Sequence, residues 1–315
     1  MLRVAGRKQS RAHLPEPARR VIVVAKRSSL SMLSAGEVDA RAKRLLNSGD
    51  ATVKKWKPAH IQHLKTLELV ESTLRKTGAE VLVLHGSQAA FDTKDVDLVV
   101  TVGGDGTLLA ASHNVKDTPI LGVNSAPRYS VGFFCAARGR QVPSLLRRAV
   151  IGDVQAISLQ RMAVRVNGQL RSQRILNEAL FCHAEPAATS RYILQLGRRR
   201  EEQRSSGIWI STAAGSTAAV RSAGGKVLPL TSSRLQLVVR EPYAAHGKDY
   251  RLLKETLPGK ERLRIFNKMH LAEIYLDGPY RKLPVRLGEE VSFERSDQPL
   301  HVLGLDARRH RDSKG

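Results

Sequence analysis

The chain has 315 residues, 42% of them hydrophobic, and carries 52 Lys and Arg against 29 Asp and Glu for a formal charge of +23. That length suits about two domains with cores of their own, and no apolar run reaches the roughly 18 residues of a membrane-spanning helix, so no membrane partner is expected. So large a positive field attracts polyanions from nucleic acids to nucleotide phosphates, but the basic residues are scattered and aromatics are only 4%, which argues against a dedicated nucleic-acid binder.

Residues 1–20 hold six Arg or Lys against one Glu, with Pro15 and Pro17, and read as a disordered basic arm. The same bias marks organellar transit peptides. The stretch is short and has no apolar face, so a cytoplasmic location is the expectation, with organellar import the lesser alternative. Val21–Ala25 follows as a buried strand, then a helix over His60–Thr77 with Ile61, Leu64, Leu67 and Leu74 on its core face. Glu80–Leu84 and Leu98–Val102 are the next strands, and alternation with helices predicts a parallel, helix-covered sheet. His60 and His63 read as solvent-exposed, and Cys135 and Cys182, far apart in apolar strings, suggest neither a disulfide nor a metal site.

Beyond about Ile151 the texture changes to closely spaced strands, Met162–Val166, Ile175–Cys182, Tyr192–Leu196, Ile208–Thr212 and Leu235–Val239, which predicts an antiparallel second domain. The expected division is an α/β domain over 21–152 and a β-rich dinucleotide-binding domain over 153–294. The C-terminal tail, about 295–315, is expected to return to the first. The strand candidate Leu300–Leu305 fits either.

Chemistry concentrates in three strings. The strand Leu98–Val102 runs into Gly103, Gly104, Asp105, Gly106 and Thr107 and then into a helix. Beyond the carboxyl end of a parallel strand, a glycine turn lets amides approach phosphate, and a helix N-terminus adds positive charge. Asp105 would repel phosphate unless it serves chemistry, by taking a proton from an attacking hydroxyl or by helping to place a metal. The plain alternative is an N-cap in a turn. A second string, Ser211 to Ala219 followed by Ser222-Ala223-Gly224-Gly225, offers small hydroxylated residues and exposed amides for a ligand wedged against the backbone, and is not a Walker A loop. Alone it reads as a packed helix start. The third is Asn177-Glu178 inside an apolar strand, where both side chains can bind ribose or adenine and where a satisfied structural pair is the equal alternative.

In this order the strings resemble the NAD kinase family, whose pattern is Gly-Gly-Asp-Gly-Thr, Asn-Glu, and a Gly-Ser-Thr-Ala box closing with Ser-Ala-Gly-Gly. The wording around Ser206-Gly207 and Val239-Arg240-Glu241-Pro242 is most similar to the plant-type NADH kinase branch. The resemblance implies an N-terminal Rossmann-like parallel-sheet domain, a β-rich antiparallel, sandwich-like second domain, and homodimers or larger assemblies. It implies phosphorylation of the adenosine ribose 2′-hydroxyl of NADH or NAD by ATP or another donor, with Mg²⁺ arriving on the ATP and no metal ligands of the protein's own. Asp105 would be the general base. Gly103, Gly104, Gly106 and Thr107 would serve the nucleotide, and Asn177, Glu178, Thr212, Gly215, Ser216, Thr217, Ala218 and Ser222 would line the dinucleotide pocket, with Arg191 a basic residue after the Asn-Glu pair.

Three departures stand out. Ser206-Gly207 replaces an Asp-Gly, and an uncharged position suits neutral reduced nicotinamide over the oxidised cation. The segment from Gly122 to Phe134 is longer than usual, and Ala213-Ala214 replaces Pro-Thr. Two other readings stay open, a diacylglycerol- or sphingosine-type lipid kinase sharing the glycine loop and a non-enzymatic basic nucleic-acid-binding protein.

Overall fold

Short runs of β-branched residues buried on both faces build the first sheet in this computed structural model, which describes residues 20–36, 40–86, 88–244, 249–257, 259 and 261–308. The arm expected over 1–20 lies outside the described residues except for Arg20. Glu80–His85, Arg20–Ala25, Leu98–Gly103 and Ile120–Asn124 lie side by side in parallel. Leu98–Gly103 is buried at every position, as a central strand covered on both faces must be. Helices Trp56–Arg75 and Val142–Val150 cover one face through Leu67, Val70, Leu74 and Leu146. Helix Asp105–Ser112 covers the other, where Leu108 meets Val99, Phe134 and Val302.

Leu300–Leu303 extends this sheet parallel to Ile120–Asn124, and Ala156–Leu159 closes it antiparallel to Leu300–Leu303. The sheet thus runs past residue 152 to Leu159, and the chain near residue 300 pairs within it. The intervening chain forms two six-stranded antiparallel sheets, one containing Met162–Val166, Ser190–Leu196, Leu263–Asn267 and Glu290–Arg295, the other Glu178–His183, Ile208–Ser211, Leu235–Val239 and Ala272–Leu276. Both contribute to one core in which the rings of Phe181 and Tyr192 meet edge to face at 5.9 Å. The fold class is the expected one, a parallel Rossmann-like domain with an antiparallel sandwich.

Two local expectations need correction, and one strand was not expected at all. The long helix spans Trp56–Arg75, and its buried face is His63, Thr66, Leu67, Val70, Thr73 and Leu74, while Ile61 and Leu64 stand 44% and 48% exposed. Polar side chains of its first turns pack on a loop, and that displaces the apolar stripe. The strand expected over Ile175–Cys182 is two strands, Gln169–Ile175 and Glu178–His183, broken at Leu176 and Asn177. The charged segment Arg199–Ser205 is an edge strand paired with Ser190–Leu196, burying little beyond Gln203 and Ser205. Edge strands tolerate charge, so no hydrophobic pattern announced it.

The chain crosses between the halves beside Arg161, which is completely buried. Its guanidinium donates from Nε to the Gln298 carbonyl at 2.6 Å, from Nη1 to Ser112 and Val115 at 3.1 and 2.9 Å, and from Nη2 to Lys116 and Pro299 at 3.2 and 3.3 Å. Burial pulls its pKa down to about 10, so it remains a cation at neutral pH. A cation at the carboxyl end of helix Asp105–Ser112 complements the helix dipole and fixes that helix to both crossing segments.

Candidate active site

The loop between Leu98–Gly103 and its helix is as tight as its glycines imply. A Cβ on Gly103 would lie 2.1 Å from Thr107 Oγ1, so no other residue fits without moving the helix start. Gly104 is the extended N-cap, and Asp105 is the first helical residue. The Asp105 carboxylate accepts the Phe134 N–H through Oδ1 at 2.8 Å, which fixes the side chain from the neighbouring loop. That longer loop is closed by Asn124: its Nδ2 donates to the Ser130 carbonyl, and its Oδ1 accepts the Ser130 hydroxyl at 2.8 Å and the Ala126 N–H at 3.2 Å.

A cleft of about 380 Å³ opens in front of Gly104, Asp105, Gly106 and Thr107, and its opposite wall is the turn from Leu276 to Arg281 in the second domain. Lys26 and His113 also line it. Burial lowers the pKa of Lys26 and, against the nearby Asp277 carboxylate, that of Arg281, which places partly desolvated cations on both walls.

Asp277 is the residue the sequence did not offer. Its side chain is only 2% exposed, and its carboxylate accepts the N–H groups of Leu176 at 2.8 Å, Asn177 at 2.7 Å and Glu178 at 3.2 Å. His113 Nε2, in the residue that caps helix Asp105–Ser112, lies 2.9 Å from Asp277 Oδ2. Asp277-Gly278-Pro279 reads as an ordinary turn between strands, and nothing local marks the carboxylate as a bridge.

The Asn177-Glu178 pair therefore stands directly behind the cleft wall, at the strand break. Asn177 is 4% exposed, and its Oδ1 is buried with no hydrogen-bond donor among the described residues. The small-residue box packs on this break. Thr212 donates its N–H to the Asn177 carbonyl at 2.9 Å and its hydroxyl to that of Leu176. A Cβ on Gly215 would lie 2.2 Å from the Asn177 carbonyl oxygen, which explains the glycine. Ser216 is buried, its hydroxyl donating to the Ala213 carbonyl and accepting the Leu228 N–H. Thr217 and Ala218 are half-buried and Ser222 is exposed. None of this box lines the Asp105 cleft itself.

Arg191 does not join the group. It is exposed on strand Ser190–Leu196, paired opposite Arg204 of the edge strand, in the sheet that does not contain Glu178–His183. Ser206 lines a separate pocket of about 180 Å³ with Cys182, His183, Arg240 and Tyr275. Burial pushes the Cys182 thiol up, away from nucleophilic thiolate character. The histidines correct the expectation of exposure: His63 is 3% exposed, with Nδ1 2.9 Å from Ser125 Oγ, and burial next to Lys26 lowers its pKa to about 4. His60 Nδ1 lies 2.7 Å from Ser28 Oγ, so the two histidines pin one helix to the loops after Arg20–Ala25 and Ile120–Asn124. Among the described residues, no group of three or more His, Cys, Asp or Glu is gathered to hold a metal ion.

A family model described as the ATP-NAD kinase N-terminal domain matches residues 10–154. A probable NADH kinase of Oryza sativa subsp. japonica is 32% identical over 260 residues, covering 76% of this chain and 80% of the rice protein. The NADH kinase of Arabidopsis thaliana is 33% identical over 265 residues, covering 76% and 82%. The solved NAD kinase from Archaeoglobus fulgidus in complex with ATP superposes with a TM-score of 0.62 at 21% identity over 90% of this chain and 92% of that one, which speaks for the fold. With the glycine loop, the Asn-Glu break and the Gly-Ser-Thr-Ala box arranged around one junction, and with relatives of this identity and coverage, the chain belongs to the NAD kinase family, on its plant-type NADH kinase branch.

Proposed function

We propose that this chain is an NAD(H) kinase that transfers the γ-phosphoryl group of ATP, or the terminal group of polyphosphate, to the adenosine ribose 2′-hydroxyl of NADH and NAD. The observation that carries the proposal is Asp105, held by the Phe134 amide at the end of a buried strand, in a cleft whose far wall backs onto the Asn177-Glu178 break. The 2′-oxygen attacks the γ-phosphorus while its proton passes to Asp105, and the bond to the β,γ-bridging oxygen breaks to release ADP. Amides at the start of helix Asp105–Ser112 face the transferring group with the positive end of the helix, and Lys26 and Arg281 add charge from either wall. The buried Asn177 Oδ1 suits a hydroxyl or amino donor of the adenosine.

The cleft fits Mg²⁺ carried on the triphosphate, since the hydroxyls of Thr107 and Ser130 offer hard oxygen donors beside the phosphate oxygens and leave Asp105 free to act as the base. The chemistry of the ion there would be to neutralise charge on the phosphates. The rice and Arabidopsis relatives, named as NADH kinases, support the reduced dinucleotide as the preferred acceptor, as does the uncharged Ser206. Assembly as a homodimer or larger and a cytoplasmic location belong to the same proposal. The relatives lend no support to a lipid kinase or to a nucleic-acid binder.

The test is NADPH and NADP formation from ATP and Mg²⁺, with NADH and NAD in parallel, for the wild type and Asp105→Asn. Loss of Asp105 as base lowers kcat on the order of 10²- to 10⁴-fold while dinucleotide still binds. Folded wild-type protein that makes neither product with any donor ends the proposal.

A further inference from the structure

Asp277 has no role in the chemistry just described, yet it is the most heavily engaged carboxylate in the cleft. A side chain that merely caps a turn bonds within its own turn. This one leaves its turn, crosses to a strand break 100 residues away in sequence, and takes three consecutive amides there. Its backbone N–H donates to the Glu178 carbonyl at 3.0 Å, so the break is held from both backbone directions. Asp277 has a left-handed backbone with φ of 50°, a conformation that Asp adopts readily in a turn between paired strands. The fourth partner, His113, belongs to the other domain and follows directly on the helix that starts with Asp105.

We propose that Asp277, through His113, is the positioning residue that holds the Asn177-Glu178 segment at a fixed distance from Asp105 across the domain junction. The proposal rests on the kinase reading and deepens it. The acceptor hydroxyl must meet the base in one geometry, and the two groups sit on different domains. The path runs from the Asp105 helix through the close contact of His113 Nε2 with Asp277 Oδ2, at ion-pair distance but without the alignment of a hydrogen bond, to the amides of Leu176 to Glu178. Arg174 strengthens its near end by donating to the His113 carbonyl at 3.0 Å. The bridge leaves the donor's phosphates to the glycine loop.

The test uses the full-length protein and three variants, Asp277→Asn, His113→Leu and His113→Gln. Asp277→Asn turns an amide donor toward a row of N–H donors, and the resulting displacement lowers kcat on the order of 10²-fold, a misplacement of about 1 Å being enough. KM and Kd for NADH rise with it, and KM for ATP stays at the wild-type value. His113→Leu removes one end of the bridge and leaves the three amide bonds, so the same split appears with a smaller fall in kcat. His113→Gln keeps a donor within reach and restores part of it. If folded Asp277→Asn shifts the thermal midpoint but leaves kcat and KM for NADH unchanged, Asp277 is a structural turn residue and the proposal fails. Should Asp277→Asn not fold, His113→Leu decides alone, and wild-type kinetics there overturn the proposal. A wild type without turnover sinks the kinase reading instead, and NADH affinity by fluorescence across the variants still reads the bridge.

Discussion

The two domains bring their residues to the cleft by different physical means. Asp105 hangs on the end of Leu98–Gly103, buried at every position and covered on both sides by helices, so apolar burial at roughly 25 cal/mol per Å² places the loop. Asn177 and Glu178 stand where a strand stops, and polar bonds to Asp277 and Thr212 place them, with the Gly215 backbone packed closely against Asn177. Burial is diffuse and tolerates a changed neighbour, whereas a buried polar network fails when one member is lost. The second domain's share of the site is therefore the more brittle one.

The junction between the domains is where this contrast predicts the largest loss of stability. Arg161 serves five carbonyls, three of them just past helix Asp105–Ser112 or in its last turn. Arg161→Met keeps much of the volume and removes every donor. With each orphaned carbonyl costing about 1–3 kcal/mol, the expected loss is at least about 4 kcal/mol, read from urea unfolding. A loss near zero would mean that apolar packing alone holds the junction, and the contrast between the domains would collapse.

That contrast also accounts for what could be read in the chain. Leu98 to Val102 announces a buried strand, and the glycines after it announce a turn at its carboxyl end, because burial and backbone freedom are local properties of residues. The box from Ser211 to Ala219 was visible as small residues, though its packing on Asn177 was not. Asp277 was invisible because its partners are about a hundred residues away in sequence and its own neighbourhood reads as a turn. The strand break at Leu176 and Asn177 was lost for the same reason, since it is made by that remote carboxylate in an otherwise apolar run. Arg199–Ser205 escaped because an edge strand needs no apolar face.

Even the first domain contains one polar element that can be weighed separately. His63 has an ordinary pKa of 6.5 that burial lowers to about 4, so between these values the unfolded chain takes up a proton that the fold refuses. Stability is full above 6.5 and falls as pH drops toward 4, by at most about 3 kcal/mol. His63→Gln can keep a hydrogen bond to Ser125 without titrating. The unfolding midpoint of the variant should therefore fall less steeply than that of the wild type between these pH values. Equal slopes would show that His63 is protonated in the folded protein and that its burial is not decisive.

The smallest effect concerns a position that neither domain brings to the Asp105 cleft. Ser206 stands in its own pocket beside Arg240 and Tyr275, where the resemblance to other NAD kinases leads one to expect an aspartate. Its N–H donates to the Arg240 carbonyl at 3.0 Å, so the backbone there is fixed and a longer side chain can turn toward solvent. A carboxylate within about 4 Å of a cationic nicotinamide is worth about 1 kcal/mol in water, and a neutral reduced ring gains nothing from it. Ser206→Asp should therefore raise kcat/KM for NAD relative to NADH on the order of 3- to 5-fold, and added salt should shrink the gain. Measuring both acceptors at low and high salt separates this from a general loss of activity. A ratio that does not move would place the nicotinamide away from Ser206 and would transfer the origin of any NADH preference to the walls of the Asp105 cleft.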